Sequence, residues 1–118
     1  MNELSNGSNT YFELEYDEEK LSIDDNTAYQ LYRIIQEITN NLIKHSKANY
    51  CKISILETSK KIKLIFEDNG EHFNYEAALN NSSGKGLLSI NERLKTLNAT
   101  LKQKQLDNVN ILKITIKL

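Results

Sequence analysis

The stretch "KIKLIFEDNGEHF", Lys61 to Phe73, decides how the chain is read. Its first half alternates and is rich in β-branched residues, the pattern of a half-buried strand over roughly 61–67. "EDNG" then supplies the residues of a turn. An acid, an asparagine and a glycine after a strand are usually no more than a change of direction. The same residues also suit the floor of a nucleotide pocket. A strand-end carboxylate accepts a hydrogen bond from an exocyclic amine, and a glycine beside it lets a planar ring approach the backbone. His72 stands two residues beyond Gly70.

Outward from this stretch the chain alternates between strand and helix patterns. "YCKISILE" precedes it across "TSKK" and reads as an antiparallel partner strand over roughly 50–57. Upstream, "TYFELEY" (Thr10 to Tyr16) reads as a first strand, and "SIDDN" (Ser22 to Asn26) as cap residues. Leu31, Ile35, Ile38 and Leu42 then make a helical stripe from about Ala28 to His45. Downstream, "NNSSGKG" is a loop, Leu87, Ile90, Leu94 and Leu97 mark a second helix, and "ATLKQKQ" with "NILKITIKL" close as a hairpin. The order β-α-β-β-loop-α-β-β predicts an α+β fold: a two-layer sandwich, its sheet mixed but mostly antiparallel, with the helices on one face.

Composition narrows the function classes. The chain has 118 residues, enough for one domain with a modest core. Lys+Arg number 15 and Asp+Glu 16, a net charge of -1 that argues against duplex nucleic acid or an anionic membrane as partner. The single cysteine, Cys51, excludes an internal disulfide and points to a reducing compartment. One Cys and two distant His (His45, His72) make a zinc site a poor fit. No apolar run reaches the ~18 residues of a membrane span. "MNELSNGSN", residues 1–9, reads as a frayed start before a domain over 10–118.

Three constellations carry candidate chemistry. Glu37, Asn41 and His45 are spaced i, i+4, i+8 on the long helix, with Lys44 beside them. A carboxylate, an amide oxygen and a lysine suit Mg²⁺ and phosphates, although a solvated polar face has the same composition. Asp68 and Gly70 form the second. The third is Ser83-Gly84-Lys85-Gly86-Leu87 running into a helix, where exposed N–H groups and the helix dipole favour an anion; plain capping is the alternative.

Taken in order, these segments resemble the ATP-binding domain of two-component sensor histidine kinases over about residues 10–118. "YRIIQEITNNLIKHSKA" is similar to their N box. "FEDNGEHF" is similar to the G1 box, D-x-G-x-G-F. "SGKGLLSINERLKTLNATL" is similar to the G2 box and following helix, G-x-G-L-x-x-M-x-E-R-x-x-x-L-G-G-x-L. Glu92-Arg93 and the short gap between the last two boxes resemble the short-lidded subfamily, which signals to response regulators with helix-turn-helix outputs.

The resemblance implies the ATP-binding sandwich shared by gyrase, the heat-shock chaperone, histidine kinases and the mismatch-repair ATPase, with ATP and Mg²⁺ as cofactors. It makes Asn41 the Mg²⁺ ligand and Glu37 the acid that assists proton transfer or polarises a metal-bound water. His45 and Lys44 would face the phosphates, Asp68 the adenine amine, and Gly70 the ring. Gly84, Lys85, Gly86 and Leu87 would form the lid and the helix start over the triphosphate. The phosphoacceptor histidine would lie on a separate dimerisation domain of the parent kinase, which passes the phosphoryl group to a response regulator. The parent would be anchored in the inner membrane and this domain cytoplasmic, monomeric, and without nucleic-acid or direct membrane contact. Departures are His72 for the second G1 glycine, "LNA" for "LGG", Val109-Asn110-Ile111 where a Gly-Thr is usual, and Lys117 for a proline. They motivate one alternative, a degenerate domain serving as a protein-interaction module; a second, an anti-sigma-factor-type serine kinase, shares the N, G1 and G2 boxes.

Overall fold

The structure is a computed structural model that describes residues 10–16, 23–80 and 85–118. The expected frayed start, Ser22 of the expected cap run, and Ser83 and Gly84 of the glycine loop lie outside these residues. Five strands and three α-helices are described: β1 (Tyr11–Tyr16), α1 (Asp25–Asn41), β2 (Tyr50–Glu57), β3 (Lys61–Asp68), α2 (Tyr75–Asn80), α3 (Lys85–Thr96), β4 (Ala99–Leu106) and β5 (Val109–Lys117).

The strands form one sheet in the order β1-β2-β3-β5-β4. β1 runs parallel to β2, and the other pairings are antiparallel. The parallel pair follows from connectivity. α1 lies between the two strands, and a crossover helix returns the chain to the same end of the sheet. Short turns give the antiparallel hairpins β2–β3 and β4–β5. The expected mixed, mostly antiparallel sheet is thus the one observed.

Alternation places one row of side chains from each strand against the helices. Phe12, Cys51, Ile53, Ile62, Leu64, Phe66, Leu112, Ile114 and Ile116 join Leu31, Ile34, Ile38, Ile90 and Leu94 in one buried cluster. Burial of this kind contributes about 1.5–3 kcal/mol per large side chain. α1 begins slightly earlier than its apolar stripe suggests. The Asp24 carboxylate accepts the Thr27 N–H at 2.7 Å as N-cap, and that bond lowers the Asp24 pKa.

Two local features depart from expectation. α1 does not run regularly to His45: it ends at Asn41 and continues as a π-helical turn over Leu42–Ser46, closed by Lys47 at φ 55°. A wider winding shifts the faces, so the i+8 spacing no longer keeps His45 in line with Glu37 and Asn41. In addition, α2 fills part of what was expected to be loop. It is too short for a periodic signal, and the Asn74 side chain starts it by accepting the Ala77 N–H at 3.0 Å.

Candidate functional site

The end of β3 carries a buried carboxyl side chain, Asp68. Asp68 lies opposite Cys51 on one side and Asn110 on the other, in the register of the central strands. It is 6% exposed. Its Oδ1 accepts the Gly70 N–H at 2.9 Å and the Asn110 amide at 3.1 Å. Two such donors satisfy one oxygen of this buried side chain. Cys51, packed below it, has its thiol pKa pushed up by burial and by Asp68 and Glu67. It is a small core residue rather than a nucleophile.

The turn after Asp68 is docked to the end of the long helix. The Glu71 N–H donates to Ser46 O at 2.6 Å. A Cβ on Gly70 would meet Ser46 O at 2.5 Å, Ala48 N at 2.8 Å and Ser46 Oγ at 2.8 Å. Glycine is therefore demanded by protein backbone on this side, whatever approaches from the other. Ser46 is itself fixed: its hydroxyl donates to Leu42 O at 2.8 Å and accepts from Ala48 N–H at 3.2 Å. Asn69 ties the same turn to the head of β2, its Oδ1 accepting the N–H groups of Asn49 at 3.1 Å and Tyr50 at 3.2 Å. His72 is exposed, and its φ is not positive, so a glycine's conformational freedom is not required there.

Asn41 reaches the same region from α1. It is half-buried, and its Nδ2 donates to the Tyr75 hydroxyl at 3.3 Å. That bond turns Oδ1, the atom able to hold a hard cation, away from Tyr75. Tyr75 is buried edge-on against Phe73, with ring centroids 4.7 Å apart. Burial pushes its pKa up to about 12, so the hydroxyl stays protonated. α2 is pinned to β4 by Gln103, which exchanges two bonds with Glu76 and donates to Phe73 O at 2.7 Å. Asp68, Asn110, Phe73, Tyr75 and Gln103 are among the residues around a small cavity with room for about one water, ~10 Å³.

The remaining expected residues are less confined. Glu37 is half-buried, 3.9 Å from Arg33. Lys44 and His45 are exposed. Gly84 lies outside the described residues; Lys85 and Gly86 form the first turn of α3, and Leu87, next in that helix, packs against the core. Among the described residues no group of three or more His, Cys, Asp and Glu side chains could cage a metal.

Asp68 bonds Gly70 directly, and Asn41 is connected to the cavity beside Asp68 through Tyr75. The structure adds Asn110 and Tyr75, which the sequence reading had not put forward as site residues. A signal for Asn110 did exist: it occupies an inward position of β5 that Leu112, Ile114 and Ile116 continue as apolar. Tyr75 gave none, because its helix was not foreseen.

No model of a known protein family matches the chain. It is 38% identical over 81 residues to the sensor histidine kinase ComP of Bacillus subtilis (strain 168), a match covering 69% of this chain and 10% of that protein. To the sensor histidine kinase DesK of the same organism it is 32% identical over 82 residues, 70% of this chain and 21% of DesK. The histidine kinase domain of a blue-light activated kinase from Erythrobacter litoralis EL346 superposes with a TM-score of 0.75 at 17% identity, over 91% of this chain and 51% of that one. The nucleotide-free catalytic domain of the histidine kinase ThkA gives 0.70 at 16% identity, over 92% and 80%. The chain is a sensor histidine kinase homologue with the fold of the kinase catalytic domain. It spans only 10% and 21% of these two curated kinase relatives. Among the described residues no helix of this kinase homologue is long and apolar enough to cross a membrane.

Proposed function

We propose that residues 10–118 are the ATP-binding catalytic domain of a sensor histidine kinase. In this reading the domain binds Mg-ATP and passes the γ-phosphoryl group to a histidine on a separate dimerisation domain, from which a response regulator receives it. The domain works in the cytoplasm as part of a parent protein anchored in the inner membrane. The observation that carries this reading is Asp68: a buried carboxylate at the end of a central strand, held through one oxygen and left with Oδ2 unbonded among the described residues. Such an oxygen accepts the exocyclic amine of adenine.

The donor set suits magnesium. A single amide oxygen, Asn41 Oδ1, with Glu37 one turn earlier, is too little for an all-protein cage. It fits a cation whose other ligands are phosphate oxygens and waters. When bound, Mg²⁺ neutralises charge on the phosphoryl oxygens. Glu37 holds or moves a proton beside that site. Lys44 and His45, both exposed, supply mobile cationic or donor groups to the phosphates. Leu87 and its neighbours in the first turn of α3 present N–H groups to an anion.

Titration calorimetry with ATP, with and without Mg²⁺, tests the reading. Saturable heat and chemical-shift changes around Asp68 are expected; neither heat nor shifts at millimolar Mg-ATP would sink the nucleotide claim and leave the fold standing. A second reading draws on the small size of the cavity that Phe73 and Tyr75 border, about 10 Å³. It makes the chain a degenerate domain acting through its surface, and the same negative titration would favour it.

A further inference from the structure

The helices cover one face of the sheet, and the opposite face carries charge of one sign over three strands. Register puts Lys61 and Lys63 of β3, Lys113 and Lys117 of β5, and Lys102 and Lys104 of β4 on that outer face. Lys102, Lys104 and Lys117 are exposed and the other three half-buried. Glu67 is the one carboxylate among the described outward positions of these strands. Lys61 stands directly opposite Lys117, and Lys102 opposite Lys113. Like charges so opposed destabilise a sheet. None of the six is ion-paired among the described residues, where the pairs are Arg33–Glu37, Lys47–Glu71 and Lys52–Glu15.

Two ordinary accounts fall short. Lysine on an edge strand guards against strand-to-strand aggregation. That covers Lys102 and Lys104 on β4, but β3 and β5 are inner strands. A plain solvated face intersperses both signs. The array is also broad rather than linear. With strands about 4.8 Å apart and a two-residue repeat of about 6.7 Å, it covers about 10 Å by 20 Å. A planar array fits a planar counter-surface better than one extended segment. All six cations are lysines, hydrated point charges on flexible stems without arginine's fork for bidentate phosphate recognition. They suit diffuse attraction rather than one fixed anion. Leu56 and Leu106, 51% and 53% exposed, stand on the same face beside Lys63 and Val109, where apolar side chains can enter a headgroup boundary.

We propose that the outer face of β3, β5 and β4 is a docking surface for an anionic lipid bilayer. The net charge of -1, which argued against such a partner, averages over a segregated distribution, and the local field is what a surface meets. The face stands apart from the nucleotide site. Asp68 occupies an inward position of β3 and Asn41 belongs to α1, so a docked sheet leaves both on the side away from the lipid.

The test is co-sedimentation with vesicles of equal parts phosphatidylglycerol and phosphatidylcholine, against phosphatidylcholine alone, at about 50 mM and about 500 mM salt. Wild-type protein should bind the anionic vesicles at low salt, release them at high salt and ignore the neutral ones. Lys102→Gln with Lys113→Gln should weaken binding about 25-fold, two lysines at about fivefold each. Its Tm should be no lower than wild type, because a like-charge pair is removed. Lys47→Gln with Lys95→Gln, exposed lysines of the helix side, should change binding less than about threefold. Equal losses in the two double variants overturn the proposal. Wild-type protein that ignores the anionic vesicles at low salt overturns it without any variant. Wild-type protein that ignores them yet binds poly-L-glutamate through Lys102 and Lys113 also overturns it, and gives the face to an acidic polypeptide.

Discussion

The strand end at Asp68 and the helix end at Asn41 are built by different means. At the strand end, Asp68, Gly70 and Asn110 are placed by the ladder of β3 and β5 and by backbone contacts to Ser46 and Ala48. At the helix end, Asn41 is held by one 3.3 Å bond to Tyr75, and Lys44 and His45 stand in solvent. A sheet register cannot shift by one residue without turning every side chain to the other face. A side chain on the exposed part of a helix can change rotamer at a cost of about 1 kcal/mol. The strand end is therefore a fixed socket, and the helix end an adjustable one. That division suits a ligand with a rigid base and a flexible triphosphate.

The largest expected effect breaks the fixed end. Gly70→Ala places a Cβ 2.5 Å from a carbonyl oxygen and 2.8 Å from a backbone nitrogen, neither of which can rotate away. Overpacking against backbone should cost about 3 kcal/mol or more. Thermal melting of the variant should show a large fall in Tm or no folded baseline. A Tm within a few degrees of wild type would mean that the turn is not welded to Ser46.

The link between the two ends is Tyr75, and its contribution is visible in alkali. Folding raises its pKa from 10.0 to about 12, mainly by burial. The unfolded chain then loses this proton first. The stabilisation is whole below pH 10 and fades as the pH climbs to about 12, by roughly 2–3 kcal/mol in all. Tyr50 is also raised, by its hydroxyl's bond to Glu13, but it lies at the surface and is a smaller, screened contributor. Urea melts of wild type and Tyr75→Phe between pH 9 and about 12 should diverge, with the variant losing less stability. Parallel curves would assign the alkaline loss elsewhere.

How much of this was legible differs between the same two ends. The strand end was readable because alternation marks a strand, and "DNG" marks its stop. The pairing of β3 with β5 was not readable, because partners distant in sequence leave no local trace. Asn110 was therefore passed over, although it breaks an apolar alternation. At the helix end, residue types were legible but geometry was not. The α period was extended through Leu42–Ser46, where the backbone winds as a π-turn. α2 is shorter than two turns and carries no stripe, so Tyr75 and its hold on Asn41 left no signal.

Asn41→Ala probes the adjustable end. Its amide makes one described hydrogen bond and sits half-exposed, so the stability change should stay within about 0.5 kcal/mol. The Mg²⁺-dependent part of ATP affinity should fall about tenfold, the worth of one ligand oxygen near 1.4 kcal/mol. Calorimetry at matched EDTA and Mg²⁺ conditions separates that part from base binding. A variant that unfolds would make Asn41 structural and put both ends in the same class.

The smallest effect is expected at His72. The family pattern puts a glycine there, which suggests that a side chain would crowd the nucleotide or stiffen a needed bend. Neither holds for this backbone. The side chain is exposed, φ is not positive, and the cavity is bordered by Glu71 and Phe73 on either side of it but not by His72 itself. His72→Gly should therefore leave ATP affinity within about twofold. Stability should drop by about 0.4–1 kcal/mol through the added freedom of the unfolded chain. A tenfold gain in affinity would show that the imidazole intrudes on the site, and the fixed end would then be fixed in a conformation that impedes its own ligand.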